Sequence, residues 1–334
     1  GNNDCAFIMF NNNVSSIAFD NFRPENYRLI ALLMENANLV LSQEQFETVV
    51  EHLSQFNSNI STDDTVYLLQ IVLRCFEKDE NPISDLEFKH LIPILTTFSN
   101  NPTIVQLASR LVSYSDGYKH STELLFALLE ALKYNIGIYD TVLAIFTVLP
   151  EFYSAKKHQG TFSAQPTLDL FTELLHNYSS DVTICSFSLQ LFKGSANVLN
   201  LCPAIMEEQT DVETLIAVSQ YIYSISEEYD ISSLLDPIFI VLDQDHNNVE
   251  LYENLLPSVF YLSNNDSTHS SIFHHLDRIA EIFMMYTSNM GVSLGFLGII
   301  HNLSSNSSNV NRLTKYISLI GIAMKTWIND PQFQ

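Results

Sequence analysis

Apolar residues recur along most of this chain at the spacing of one face of an α-helix. The clearest example lies between residues 91 and 111, where two apolar faces are separated by a short turn rich in Ser and Asn. The first face is formed by Leu91, Ile94 and Leu95, and the second by Ile104, Leu107, Ala108 and Leu111. The pattern predicts two amphipathic helices joined by a tight polar turn.

The same pattern of helix, polar turn and helix occurs several times. Clear copies occupy residues 46–76, 91–115, 124–149, 168–195, 234–263 and 276–305. The wider gap between Leu170 and Leu235 leaves room for one degenerate unit, built from residues 203–209 and a helix over 212–225. The intervals between equivalent leucines match the repeat length of helical solenoids, and they predict about seven to eight units.

A helical pair cannot cover its own apolar stripe, so neighbouring pairs must stack on one another. We therefore expect an all-α fold, a right-handed α-solenoid over residues 27–328, with residues 1–26 as an N-terminal cap or irregular segment. The composition agrees, because 46% of the residues are hydrophobic while 9 glycines and 10 prolines are few for an α/β enzyme of this size. The polar segment 153–165 is predicted to be an exposed, irregular loop.

Two stretches resemble armadillo repeats, ELLHNYSSDVTICSFSLQLFKGS at 173–195 and FLGIIHNLSSNSSN at 296–309. In the first stretch, a helix that ends in a polar turn leads into a second helix. The second stretch is a helix that ends in Asn-Leu-Ser. HEAT repeats give nearly the same pattern, and the resemblance to the two classes covers residues 27–327. It implies a binding scaffold, as in adaptors, nuclear-transport receptors, cadherin-linked scaffolds, chaperone cofactors and the autoinhibitory regions of formins.

The charge of the chain is strongly negative. It has 15 Lys and Arg against 38 Asp and Glu, a formal net charge of −23, which opposes direct binding to nucleic acid. From Gly194 to Asp277 there is no Lys or Arg, whereas 14 Asp and Glu occur. A negative field over this stretch would favour a partner protein with a basic segment.

The acidic residues of this stretch are the predicted binding surface, on the hypothesis that they lie along a concave groove. The alternative is that they only solvate the outer face of the protein. The predicted surface consists of Glu207, Glu208, Asp211, Glu213, Glu227, Glu228, Asp230, Asp236, Asp243 and Asp245, and Glu250 and Glu253 continue it.

Three patterns in the sequence could mark sites of chemistry. Residues 291–295 spell GxSxG, the nucleophile elbow of serine hydrolases with Ser293 as nucleophile, but no strand precedes them. His269, His274, His275 and Asp277 form a histidine-rich cluster without a complete ligand set. Residues 243–254 begin like a calcium loop but have Asn at the positions that require Gly and Glu. We expect no catalytic residue, metal or cofactor.

The apolar segment 282–300 has no charged residue and is long enough to be tested as a membrane span. Thr287, Ser288, Asn289 and Gly291 interrupt it, so a turn between two helices is predicted instead. The cysteines Cys5, Cys75, Cys185 and Cys202 lack disulfide or metal spacing and are expected to be reduced in a cytoplasmic protein.

The sequence thus leaves three functions open. The first is a protein–protein interaction scaffold that binds a partner polypeptide along its groove. The second is a regulatory repeat module of a longer protein, either GTPase-binding and autoinhibitory as in formins or a co-chaperone. The third, from a different class, is a serine hydrolase that uses Ser293.

Overall fold

Helices and short turns make up the part of the chain that the structure describes. This computed structural model describes residues 23–36, 41–56, 60–78, 87–115, 117–208, 211–244 and 246–327, and within these ranges it contains α- and 3-10 helices and no strand. The all-α prediction is confirmed. The chain divides into two compact units, residues 1–167 and 168–334, and the predicted repeat region 27–328 extends over both.

The first unit alternates between two sets of helices. Helix α1 packs on α3, α3 on α5 and α5 on α7, while α4 packs on α6. Helices that are next but one in sequence are therefore neighbours. The helices are α1 (Pro24–Asn36), α2 (Gln43–Ser54), α3 (Thr62–Lys78), α4 (Leu91–Thr97), α5 (Pro102–Val112), α6 (Thr122–Tyr134), α7 (Tyr139–Phe146), α8 (Leu149–Ser154) and α9 (Gln159–Phe162).

The second unit repeats this alternation. After α10 (Gln165–Asn177), which spans the boundary, come α11 (Val182–Leu191), α12 (Cys202–Glu208), α13 (Val212–Ile225), α14 (Leu235–Asp243), α15 (Val249–Leu262), α16 (His269–Met285), α17 (Met290–Ser304), α18 (Val310–Leu313) and α19 (Ile317–Trp327). Helices α11, α13, α15 and α17 pack in that order and form what we call the first row. Helices α12, α14 and α16 pack in order as the second row.

The polar turns predicted between helices act as helix N-caps. A side-chain oxygen at the residue before the helix accepts a backbone N–H of the first turn, which would otherwise lack a partner. This explains why the turns are rich in Asn, Asp and Ser. The capping residues are Asn101 of α5, Ser121 of α6, Asp181 of α11, Asp211 of α13, Asn248 of α15 and Asn289 of α17.

Each predicted pair corresponds to two helices, α2 and α3, α4 and α5, α6 and α7, α10 and α11, α14 and α15, and α16 and α17. The degenerate unit corresponds to α12 and α13. The apolar faces are buried as the 3.6-residue period requires. For example, Leu91, Ile94 and Leu95 have no exposed surface.

The prediction of an irregular loop over residues 153–165 is wrong. The segment contains a 3-10 turn, Lys156–His158, followed by α9. Phe162 is buried, with its ring 5.5 Å from that of Tyr153, and His158 is buried against Phe152. Only a few apolar residues anchor this polar segment, so it shows no periodicity that identifies a helix.

The apolar segment 282–300 is split as predicted, because α16 ends at Met285 and α17 begins at Met290. In the part of the chain that the structure describes, no helix is long and apolar enough to cross a membrane. The thiols of Cys185 and Cys202 are buried and free, and burial raises the pKa of each to about 12. Cys75 is half-buried, and Cys5 lies outside the described residues.

Candidate functional site

An open groove lies on the first row, between side chains of α13, α15 and α17. Its volume is about 710 Å³. Tyr223 of α13 and Phe260 and Tyr261 of α15 supply aromatic surface, and Leu294 and Leu297 of α17 supply aliphatic surface. No Lys or Arg is among its lining residues.

The groove owes its shape to three glycines on one face of α17. A Cβ on Gly295 would come within 2.7 Å of the Leu256 Cβ and 2.9 Å of the Pro257 nitrogen, and a Cβ on Gly298 would come within 2.5 Å of the Phe260 ring. Only glycine therefore permits α17 to pack this closely on α15. The contacts also fix the register of the two helices, with Gly291 beside Glu253 and Gly298 beside Phe260.

Glu253 lines the groove and Glu227 contacts its lining residue Tyr261, and both carboxylates have neutral partners. Asn289 Nδ2 donates a hydrogen bond of 2.7 Å to Glu253 Oε2, and the Tyr261 hydroxyl lies 3.5 Å from Glu227 Oε2. Among the described residues, no Lys, Arg or His forms an ion pair with either carboxylate. Their negative charge is therefore available to a ligand.

The tyrosines of the groove share an electrostatic environment with Glu227. Burial raises the pKa of Tyr261 above its usual value, and the nearby Glu227 and Tyr223 raise it further. Tyr261 therefore stays protonated at neutral pH as a hydrogen-bond donor. Tyr223 is 44% exposed.

Pro257 adds a backbone acceptor inside α15. A proline has no N–H, so the Glu253 carbonyl one turn earlier lacks its usual helical donor. This carbonyl oxygen lies beside Gly291, where a Cβ would stand only 3.2 Å from it. Helix α17 therefore packs against this carbonyl at Gly291.

The predicted acidic surface is distributed over both rows. Helix α13 and the segment that follows it contain Glu213, Glu227 and Glu228, all exposed. Helix α12 of the second row contains Glu207 and Glu208, and α14 contains Asp236 and Asp243. Asp245 lies outside the described residues. Of the predicted acids and their continuation, Glu253 lines the groove, and Glu227 contacts the lining residue Tyr261.

Several predicted acids have local structural roles. Asp211 caps α13, and Asp243 lies 3.1 Å from His275 Nδ1. Asp230 accepts hydrogen bonds from the hydroxyl and the backbone N–H of Ser232, which lower its pKa. Glu250 accepts a bond of 3.0 Å from Gln220.

The GxSxG serine and the histidine-rich cluster make structural contacts instead of forming a catalytic or metal site. Ser293 lies inside α17, has no exposed surface and donates to the Thr287 carbonyl, so GxSxG does not form a strand-to-helix elbow here. The histidine cluster is dispersed, since His275 stacks on Phe239 and Asp277 pairs with Lys315. No group of three metal-ligating side chains occurs among the described residues.

The sequence interpretation missed the aromatic and glycine side of the groove. Gly291, Gly295 and Gly298 recur at helical spacing, but Gly291 and Gly295 were interpreted only through the GxSxG pattern and the apolar segment, and Gly298 was not singled out. Tyr223 and Tyr261 carried no local signal, because they are 38 residues apart and meet only through packing. No protein family, curated protein or solved structure matches this chain.

Proposed function

We propose that the chain is an armadillo- or HEAT-like right-handed α-solenoid, and that it is a scaffold for a partner polypeptide. The alternation of packed helices within each unit supports the repeat architecture. The partner segment lies in the groove of α13, α15 and α17 and carries basic residues.

The groove's combination of apolar surface with uncompensated carboxylates is the observation that supports this function. Aromatic side chains give a large contact area at low cost in conformational entropy, and they dominate the energetics of protein interfaces. Glu227 and Glu253 favour cationic side chains, and the formal charge of −23 speeds the encounter with a basic segment. The same charge repels nucleic acid. Together these features favour a basic polypeptide as ligand.

We place this function in the cytoplasm. The thiols of Cys185 and Cys202 are buried and protonated, as is common for structural cysteines of a reducing compartment.

Two charge-matched variants test the scaffold. The double variant Glu227→Gln with Glu253→Gln removes the charge of the groove, yet each glutamine keeps an oxygen acceptor for Tyr261 or Asn289. The double variant Glu207→Gln with Asp236→Asn removes the same charge from the second row. The wild-type chain first captures partner proteins from a cell lysate. Cross-linking then locates the partner segment that contacts the chain. That segment is synthesised as a peptide, and its binding is titrated by fluorescence polarisation.

A basic segment should bind the wild type and the second-row variant with similar Kd. We expect binding to the groove variant to be weaker by about tenfold, since each charge-assisted hydrogen bond contributes about 1.5–3 kcal/mol and is only partly lost. Binding should also weaken as salt is raised. Equal Kd for all three proteins, or cross-links confined to the second row, would show that the groove is not the binding site.

A further inference from the structure

Helix α19 leaves apolar side chains in contact with solvent. Its sequence, ISLIGIAMKTW, contains one buried residue, Ala323. Ile317 is 62% exposed and Met324 is 61% exposed, the two highest values among the large hydrophobic residues that the structure describes. Terminal units of stacked repeats present a polar outer face to water, because no further unit covers them. The apolar surface of α19 is therefore a docking surface for another molecule.

A second groove, of about 330 Å³, lies between α17, α18 and α19. We call it the C-terminal groove. Val310 of α18 and Ile317 and Ile320 of α19 line it. Leu297 and His301 of α17 line both this groove and the groove of α13, α15 and α17. The two grooves are thus neighbours, and they share one wall on α17.

The two sides of this shared wall differ in charge. In the groove of α13, α15 and α17, Glu253 is the sole acidic lining residue, and no Lys or Arg lines it. On the other side, the chain has no Asp or Glu between Glu281 and Asp330, and its charged residues there are Arg312, Lys315 and Lys325. Across α17 the surface therefore changes from negative through apolar to positive.

Lys325 is the cation on the positive side whose charge is available to a new partner. Lys315 forms an ion pair with Asp277, and the Arg312 guanidinium lies 3.9 Å from the centroid of the Phe273 ring. Lys325 is exposed in the last turn of α19 and has no ion-pair partner among the described residues.

A surface with this order of charges is complementary to itself. In a dimer with twofold symmetry the same patch of each copy meets the other, so residue i contacts residue j and j contacts i. A twofold axis at the shared wall brings the apolar parts of the two copies together. It also places the negative side of each copy on the positive side of the other, which is the charge complementarity that protein interfaces use.

Other occupants match only part of this surface. A purely acidic or purely basic polypeptide is attracted by one side of the shared wall and repelled by the other. An anionic membrane would attract Lys325, but Glu253 and the formal charge of −23 repel it. A second copy is the occupant that satisfies both sides.

We infer that the two grooves dock a second copy of this chain about a twofold axis at Leu297 and His301, with Glu253 of each copy paired to Lys325 of the other. Ile317 and Met324 of each copy pack on the groove of α13, α15 and α17 of the other. The inference rests on the proposed function, because the basic, apolar segment that this groove binds is then α19 of a second copy.

The oligomeric state of the full chain tests the inference. Sedimentation velocity and light scattering over a dilution series give the Kd at physiological salt, where repulsion between exposed acids is screened beyond about 8 Å. We expect a dimer that dissociates on dilution. Ile317→Asp should raise its Kd at least tenfold. The matched control Ile240→Asp changes a side chain that is 44% exposed on α14 of the second row, and it should leave Kd unchanged.

A charge swap between copies tests the pairing itself. Glu253→Lys and Lys325→Glu should each raise Kd at least tenfold, because each variant forms two like-charged pairs in its own dimer. An equimolar mixture of the two variants should dimerise as the wild type does. In the mixed dimer the introduced lysine faces the introduced glutamate, and the native lysine and glutamate face each other. Glu207→Lys, on α12 of the second row, changes the net charge as Glu253→Lys does and should leave Kd unchanged. Thermal melting of each variant checks that the fold is intact.

A chain that stays monomeric at ~100 μM, a hundred times a micromolar Kd, would overturn the inference. Assemblies larger than a dimer would overturn the twofold pairing, and a mixture that fails to recover would overturn the pairing of Glu253 with Lys325. Binding of a monomer to phosphatidylserine vesicles that is lost in Ile317→Asp would show that a membrane covers α19 instead.

The proposed function is judged separately, by the binding of the cross-linked partner segment. If the chain is monomeric but that segment still requires Glu227 and Glu253, the inference fails and the proposed function stands. If the chain is monomeric and the segment is indifferent to these residues, both proposals fail.

Discussion

The indole nitrogen of Trp327 donates a hydrogen bond of 3.1 Å to the hydroxyl oxygen of Ser293. This bond joins α19 to the centre of α17, the helix whose other face forms the groove. Ser293 is fully buried, and its hydroxyl donates a hydrogen bond to the Thr287 carbonyl. The serine of the GxSxG sequence thus has a structural role in linking two helices and a turn.

Ser293→Ala and Trp327→Phe should each lower the free energy of unfolding by about 1 kcal/mol, the net contribution of one hydrogen bond, with additional packing loss for the tryptophan. The double variant should lose less unfolding free energy than the sum of the losses of the two single variants, because both changes remove the same bond. Urea unfolding measures all three. Trp327 is the sole tryptophan, so its fluorescence in Ser293→Ala also reports the environment of α19. Additive effects would show that the bond contributes nothing.

Gly295→Ala should destabilise the protein by about 1–3 kcal/mol, the usual cost of overpacking. The new Cβ would meet backbone atoms of α15, which cannot move as a flexible side chain can. Gly321→Ala is the matched control, since Gly321 lies in α19 with open space around it. That change should stabilise by about 0.5–1 kcal/mol through helix propensity. Chemical denaturation compares the two variants. An unchanged free energy of unfolding for Gly295→Ala would contradict the close contact.

Asn135 ties the end of α6 to the turn before α5. Its side-chain nitrogen donates to the carbonyls of Ser99 (2.6 Å) and Ala131 (2.7 Å), and the residue is 1% exposed. Asn135→Ala should cost about 1–3 kcal/mol because buried carbonyls lose their donor. Asn135→Asp should cost more at neutral pH, about 3–5 kcal/mol, because a carboxylate would face these carbonyls.

The two Asn135 variants should also differ in pH dependence. Burial would raise the pKa of the new carboxyl, so the folded form of Asn135→Asp binds a proton more readily than the unfolded chain. Its stability relative to wild type should therefore rise as the pH falls towards 5, while that of Asn135→Ala should stay constant. Unfolding midpoints at pH 5 and 7.5 measure this, and parallel profiles would refute the explanation.

His158 should make the protein less stable below neutral pH. Its Nε2 lies 3.0 Å from the Lys119 carbonyl, and its Nδ1 is buried without a hydrogen-bond partner. Burial lowers the pKa of His158 below its ordinary value, and the positive charges of Lys157 and His120 act in the same direction. The unfolded chain, with a histidine pKa near ~6.5, then takes up a proton before the folded protein does, so stability falls as the pH drops below that value.

His158→Gln removes this titration and can still donate to the Lys119 carbonyl. Its unfolding midpoint should fall less than that of wild type between pH 7.5 and 5.5, whereas the exposed control His176→Gln should follow wild type. His52 and His90 also have pKa values lowered by burial, so part of the pH dependence should remain. Identical curves for all three proteins would mean that His158 does not titrate differently on folding.

Much of the local structure could be predicted from sequence because it depends on neighbours along the chain. The period of apolar residues identified the helical pairs, and Asn101 and Asn289 marked the helix starts that they cap. The prediction was wrong over residues 153–165, where two aromatic anchors hold a polar segment. His158 is also held by a hydrogen bond with the Lys119 carbonyl, 39 residues away, and such a contact leaves no periodic pattern.

Only part of the candidate site could be predicted from the sequence. Local composition revealed the acidic stretch but could not assign its residues to rows, because neighbours such as Glu208 and Glu213 belong to helices of different rows. Tyr223 and Tyr261 come together only when α13 and α15 pack.

The sequence by itself determined that this protein is helical, where its paired helices begin, and that its charge is negative, since these follow from side-chain periodicity, capping and composition. Tertiary structure decided that three glycines of α17 admit α15 at close range, that Glu253 lines a groove beside Tyr223 and Tyr261, and that Ser293 is buried against Trp327. The physical reason is that contacts between helices depend on the register in which they pack, and no single helix encodes that register.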